Sequence, residues 1–190
     1  MGRLWTLLLM TAFAAQGGIE IFSKGSVSKN HLSQDVWTVN LSITAGMAWS
    51  LLPGLRVEGR YTNISELQNR VDVPSTATLT DFKTETSIYS LGLDLNLLGE
   101  SSDFQPFCFL GAGYIVTTRS YYYQIQGASS AVYNTEPPNA RISGNFGLGF
   151  RFRVAKSLAL EIEAYGYVID MDKPTRLINY FGTAGIRIFM

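Results

Sequence analysis

Charge is what this chain has least of. Only 16% of its 190 residues are Asp, Glu, Lys or Arg, against about 25% in ordinary soluble domains. So low a share is expected where much of the surface faces hydrocarbon. The 15 basic and 15 acidic residues cancel, which removes the electrostatic footprint that nucleic-acid binding needs. A single cysteine, Cys108, excludes an intrachain disulfide, and no residues have the ligand spacing of a zinc site. Phosphate-binding loops and nucleotide motifs are missing too, so the sequence calls for no cofactor and no metal. Cys108 itself reads as a small apolar strand residue rather than a reactive thiol.

What the chain does have is a period of two. From Trp37 to Trp49 every second residue is apolar, through Val39, Leu41, Ile43, Ala45 and Met47, while Thr38, Asn40, Ser42, Thr44, Gly46 and Ala48 lie between. Successive strand side chains point to opposite faces, so this is one long strand with a greasy face and a small, weakly polar one. At about 3.3 Å per residue it covers roughly 40 Å, or roughly 30 Å of height after a tilt of about 40°. That matches a transmembrane barrel strand, whose apolar band is about 25 Å tall with aromatic girdles at both edges. Trp37 and Trp49 stand where the girdles belong, joined by Tyr61 and Tyr89 on later strands. The polar face of this strand carries no charge, which suits a packed bore and not a wall turned to water. The apolar face is therefore read as lipid-facing.

The rest of the chain repeats the scheme. A first strand is expected over Ile19 to Lys29 with Glu20 inward, followed by a polar connection from Asn30 to Gln34. After the organising strand, Pro53-Gly54 makes a tight turn into a strand alternating Leu55, Val57, Gly59 and Tyr61 with Arg56, Glu58, Arg60 and Thr62. A polar, irregular segment over 63–82 reads as a long loop. Strands then follow over 83–98 and 106–118, the latter with the facing of Phe107 and Phe109 undecided. A second long loop spans 119–140, and a sixth strand carries Ile142 to Phe152. A turn at Ala155-Lys156-Ser157 leads to the Leu158–Glu163 alternation, a charged loop over 170–177, and a final strand to Met190. Eight strands joined alternately by short turns and longer loops give an all-β, eight-stranded antiparallel up-and-down transmembrane β-barrel.

Ahead of the barrel, residues 1–15 have the form of a signal peptide. Arg3 supplies the positive start, Leu4 to Ala12 the apolar stretch, and Ala12-Phe13-Ala14 the small residues before the cut. The stretch falls short of the roughly 20 residues a spanning helix needs. Met1-Gly2 with Thr6 also fits the loose myristoylation pattern, but the apolar run directly behind favours export. Residues 16–190 then form one barrel domain.

The inward charges are the most informative polar feature. Arg56, Glu58, Arg60, Asp94, Arg151, Arg153, Glu161, Glu163 and Arg187 all fall on the bore-facing parity. Unpaired burial costs several kcal/mol per ion, so they are expected to pair across the bore. An eight-stranded interior is just wide enough for side chains to fill, so an ionic core that closes the barrel is preferred to a conducting pore.

The Phe-Leu-Gly-Ala-Gly-Tyr element at 109–114, the Gly-Leu-Gly-Phe element at 147–150 and the alternating strand that ends the chain resemble the small outer-membrane barrels of Gram-negative bacteria, the OmpA-type and OmpW-type barrel domains. The resemblance covers nearly all of residues 16–190. It implies outer-membrane lipids and lipopolysaccharide as surroundings, and the barrel assembly machinery as a partner during biogenesis. That machinery reads a terminal Phe, whereas here Met190 is last and Phe189 stands one place early, a degenerate form of the signal. Three roles follow: a structural or surface-interaction protein acting through its extracellular loops with an unidentified partner, a narrow pore or OmpW-like path for small molecules, and a lipid A esterase. The last rests on His31-Leu32-Ser33, which resembles the His-x-Ser pair of lipid A deacylases in which His activates Ser. The pair sits in a polar connection without the flanking pattern, so no enzyme is expected and His31 reads as a loop residue. Tyr121-Tyr122-Tyr123 reads as upper girdle and strand extension in preference to a ligand surface. The glycosylation sequons at Asn40 and Asn63 are read as coincidental.

Overall fold

Every stretch that alternates apolar with small or polar residues is a strand. The computed structural model describes residues 18–31, 36–73, 77–98, 102–125, 130–169 and 177–190. The segment assigned as a signal peptide and Ser33 lie outside the described residues. The strands are β1 (Ile19–His31), β2 (Trp37–Leu52), β3 (Leu55–Val73), β4 (Ala77–Asn96), β5 (Phe104–Ile125), β6 (Val132–Thr135), β7 (Asn139–Ala155), β8 (Leu158–Ile169) and β9 (Leu177–Phe189). Eight of them, β1-β2-β3-β4-β5-β7-β8-β9, close into an antiparallel barrel through the β1–β9 and β4–β5 pairings. The short β6 takes over from β7 beside the upper end of β5.

The register fixes the tilt. Following paired residues around the wall from Ile21 leads through Met47, Gly59, Leu91, Ala112, Gly144 and Val168 to Ile178. Ile21 itself pairs with Ile188 across the closing seam, so one circuit displaces the chain by ten residues, from 178 to 188. A shear of this size in eight strands tilts them by roughly 40° and leaves an interior that side chains fill.

One rim, here the lower, gathers the start of β1, the end of β9 and the tight turns. The Met190 amide donates to the Ile19 carbonyl at 2.9 Å, and Ile19 pairs with Trp49 beside the β2–β3 turn. In that turn Pro53 presets its own φ, and Gly54, at φ 81°, takes the positive-φ position that a type II turn demands.

The faces are inverted relative to a soluble barrel. Leu41, Ile43, Met47, Leu91, Leu93, Leu110, Leu148 and Ile162 are exposed on the outside, while Arg56, Arg151, Arg187, Glu58 and Asp94 are buried within. A continuous apolar belt of this size belongs against lipid.

Several boundaries differ from those expected. The expected loops at 63–82 and 119–140 are largely strand. β3 continues to Val73, β4 begins at Ala77, β5 runs to Ile125, and β6 and the start of β7 occupy 132–135 and 139–140. These upper segments stand beyond the apolar band, and at residues 65–69, 82–85 and 116–120 neither face of the strand is buried. The alternation that marks a strand in lipid is therefore lost, although the backbone ladder continues. β1 likewise runs through His31, so that residue ends a strand and does not sit in a connection. Phe107 and Phe109 both turn into the bore.

Candidate functional site: an ionic plug in the bore

Strand parity brings the site together. Even-numbered residues of β1 to β4 and odd-numbered residues of β5, β7, β8 and β9 face inward, so Lys24, Arg56, Arg60, Arg151 and Arg187 meet Glu20, Glu58, Asp94, Glu161 and Glu163. Five cations balance five carboxylates, all ten buried. Arg187 is the hub. Its guanidinium donates to Glu161 Oε2 at 2.8 Å, Glu20 Oε2 at 2.9 Å and Glu58 Oε2 at 2.8 Å, so one β9 side chain ties together β1, β3 and β8. Lys24 Nζ donates to Glu161 at 2.8 Å and Glu163 at 2.5 Å. Arg60 joins Glu58 to Glu163, reaching the latter at 2.7 Å. Arg56 donates to Glu20 at 2.7 Å, and Arg151 forks onto both oxygens of Asp94. Planar guanidinium donors suit such bidentate, desolvated contacts better than an ammonium would.

Aromatic rings and missing side chains complete the fit. The Arg60 guanidinium carbon lies 3.6 Å from the Phe109 ring centre, Arg151 3.9 Å from Phe107, and Arg187 4.4 Å from Phe22. The quadrupole of each ring supplies negative potential where carboxylates are not available. Glycines on the same parity make the room. A Cβ at Gly46 would fall 2.3 Å from the Phe22 ring, and one at Gly147 would fall 1.9 Å from Glu163 Oε1.

Above the ions the bore turns apolar. Ile88, Phe109, Ile115, Tyr165 and Tyr167 are buried together, with Ile64, Ile169 and Phe181 against them. Tyr165 satisfies its hydroxyl by donating to Asn145 Oδ1 at 2.9 Å. The bore thus has a charged storey near the lower rim and an oily one above it.

The residues singled out from sequence divide as follows. Arg56, Glu58, Arg60, Asp94, Arg151, Glu161, Glu163 and Arg187 lie in one connected cluster. Arg153 does not join them. It is half-buried at the lower rim, its guanidinium 5.1 Å from the Phe189 ring, beside a cavity of about 440 Å³ whose lining includes Glu20, Pro53 and Arg56. Parity sends Arg153 inward, but its position along β7 puts it below the cluster. Lys24 and the three Phe rings escaped the sequence reading. Their signal was available, because Phe22 and Lys24 share parity with Glu20, and Phe107 and Phe109 with Gly111 and Gly113.

The residues expected to form aromatic girdles sit on the outer face. Trp49 is exposed at the lower rim and Trp37 stands at the upper end of β2, with Lys29 Nζ 5.4 Å from its ring. Tyr61 and Tyr89 are cross-strand partners with ring centroids 5.1 Å apart, and Tyr89 pairs in turn with Tyr114. Beyond this row the same face carries Asn63, Ser65, Ser87 and Glu85, so the tyrosines mark the upper edge of the belt. Phe104 lies 5.3 Å from both Phe150 and Phe152 at the lower edge.

No known protein family's sequence profile matches the chain, and no curated protein matches it. Solved structures do. The outer membrane protein OprG of Pseudomonas aeruginosa superposes with a TM-score of 0.59 at 13% identity, covering 92% of this chain and 96% of that one. The N-terminal β-barrel domain of OprF from the same organism gives 0.49 at 12% identity, over 92% and 100% of the two chains. Ail, the attachment invasion locus protein of Yersinia pestis, solved with the heparin analogue sucrose octasulfate, gives 0.48 at 8% identity, over 92% and 97%. At such identities the likeness is one of fold, and the OprG superposition carries it. The fold is that of the small eight-stranded outer-membrane barrels, with a bore filled by buried ion pairs.

Proposed function

We propose that this chain is an integral protein of a bacterial outer membrane, exported by its N-terminal segment, whose bore is sealed and whose work is done by the surface it presents outside the cell. The observation that supports the seal is the neutral cluster of five cations and five carboxylates around Arg187, with an apolar layer directly above. A hydrated ion entering this space would have to break charge-assisted contacts in low dielectric, each worth more than a neutral hydrogen bond. Outer-membrane lipids and lipopolysaccharide are its constant neighbours.

The interaction surface is the upward extension of β3, β4 and β5 with β6 at its end. It carries a stacked Phe82–Tyr121 pair at 5.7 Å and a Tyr122–Tyr133 pair at 5.3 Å. Aromatic side chains give large contact area at low entropic cost and recur as binding anchors. Neither a channel nor an esterase is favoured by a comparable observation.

Two measurements test the reading. In planar bilayers the purified protein gives no reproducible openings, whereas steady unitary conductance lost on enlarging a plug residue would replace the sealed-bore reading with the pore. On intact cells, a membrane-impermeant maleimide labels Tyr133→Cys in a Cys108→Ser background. Labelling only after the outer membrane is broken would contradict the outward orientation.

A further inference from the structure

The barrel wall is not continuous to its upper rim. β1 and β9 are paired only from Glu20↔Phe189 to Gly25↔Ala184. Above that, β1 remains paired with β2 as far as His31↔Trp37, and β9 with β8 as far as Ile169↔Leu177. From Ser26 and from Thr183 upward, each strand therefore turns one edge toward a gap. Gly25 lies six residues above Ile19. At about 3.3 Å per residue and a tilt of about 40°, the gap opens roughly 15 Å above the lower rim, in the upper half of a belt about 25 Å tall.

On the outer side of the seam a Cβ at Gly182 would meet no atom within 4 Å and Tyr180 is 83% exposed, so no described residue covers the opening from outside. A cavity of about 310 Å³ occupies the opening, with Val27, Tyr180 and Gly182 on its outer side and Asn40, Glu66 and Tyr167 on its bore side. Among the described residues the lining includes no Lys or Arg, and the Glu66 carboxylate is the one formal charge there. Asn40 Oδ1 is buried there without a hydrogen-bond partner. Strand edges without a ladder partner do not lie bare in hydrocarbon, since each unsatisfied backbone group there costs several kcal/mol. An occupant must bring polar atoms into the gap and hydrocarbon to its outer side.

We propose that the β1–β9 gap is a lateral binding site for a single-chain membrane amphiphile whose head carries hydrogen-bond donors and no anionic group. The acyl chain lies outside along Val27 and Tyr180, and the head enters toward Asn40 and Glu66. A cavity of about 310 Å³ holds roughly ten waters at about 30 Å³ each, room for a sugar head or for an ammonium head together with its water shell. Hydroxyl or ammonium groups donate to Asn40 Oδ1 and to the Glu66 carboxylate, while a sulfate or phosphate head meets like charge. The ionic plug lies below and stays closed, so the site neither requires nor supplies a pore.

Native mass spectrometry of the folded protein with dodecyl glucoside, dodecylammonium and dodecyl sulfate tests this. Saturable one-to-one adducts form with the first two and not with the sulfate. Gly182→Trp, which covers the gap on its outer side where the acyl chain would lie, weakens both by about tenfold or more, a change of about 1.4 kcal/mol. Gly59→Trp changes nothing, because Gly59 also has open space around it but lies elsewhere on the wall. Glu66→Gln weakens the ammonium adduct more than the glucoside adduct. Retained heat-modifiable gel migration shows that each variant is folded. If Gly182→Trp does not fold, Val27→Trp covers the same opening from the β1 edge and carries the same expectation. Equal binding by the gap-filled and Gly59→Trp proteins, an equally tight sulfate adduct, or no saturable adduct at all overturns the proposal.

Discussion

The lower and upper halves of β3, β4 and β5 run in the same strands under different rules. In the lower half one face meets lipid and the other meets ions, and a residue's parity decides everything about it: Leu93 is 49% exposed while its neighbour Asp94 is fully buried. Higher up, from Ser65 on β3 and from Glu85 on β4, neither face is buried, and Ser65, Glu66, Glu85 and Thr84 follow one another without contrast. The same backbone ladder is held below by what surrounds it and above mainly by its own hydrogen bonds. Substitutions should therefore be costly and face-dependent below the tyrosine row, and mild and face-independent above it.

The largest effect falls on the plug. Arg187→Ala leaves Glu20, Glu58 and Glu161 each short of a partner and destabilises the barrel by about 3–5 kcal/mol, the usual loss on breaking a buried pair. Urea titration followed by heat-modifiable migration reads it as a lowered midpoint, and an unchanged midpoint would mean that the network adds nothing to stability. Next comes the lipid face. Leu93→Arg costs about 2–4 kcal/mol if that position lies near the bilayer midplane, in the same titration. Third is the packing of the bore. Gly147→Val drives a side chain into Glu163 and costs about 1–3 kcal/mol as overpacking. The smallest is Glu85→Ala on the extension, within about 0.5 kcal/mol. A loss at Glu85 as large as that at Leu93 would erase the distinction between the two halves.

The contrast also explains what could be read from sequence. Trp37 to Trp49 is legible as a strand because one side faces outward and the other a packed polar bore, and Arg56, Glu58 and Arg60 read as inward because alternate residues beside them are apolar. The upper parts of β3, β4 and β5 lack that contrast, so they look like loops although Thr78, Thr80, Thr84 and Thr86 give β4 strong β-propensity. Phe107 and Phe109 are ambiguous in the sequence because Cys108 between them and Leu110 after them are also apolar. Parity gives the face but not the height, so Arg153 shares the orientation of Arg151 and still falls outside the cluster. The interrupted β1–β9 seam depends on register between the two ends of the chain, and no local pattern encodes it.

The tyrosine row divides a lipid-facing belt from a water-facing extension on one continuous strand. Nitroxide labels at Leu93 and Glu85, on the same face of β4, test it in reconstituted bilayers. The label at position 93 should collide with dissolved oxygen and be shielded from a water-soluble nickel chelate, and the label at position 85 should do the reverse. If both positions meet the chelate alike, the outer face does not lie in a membrane and the account fails.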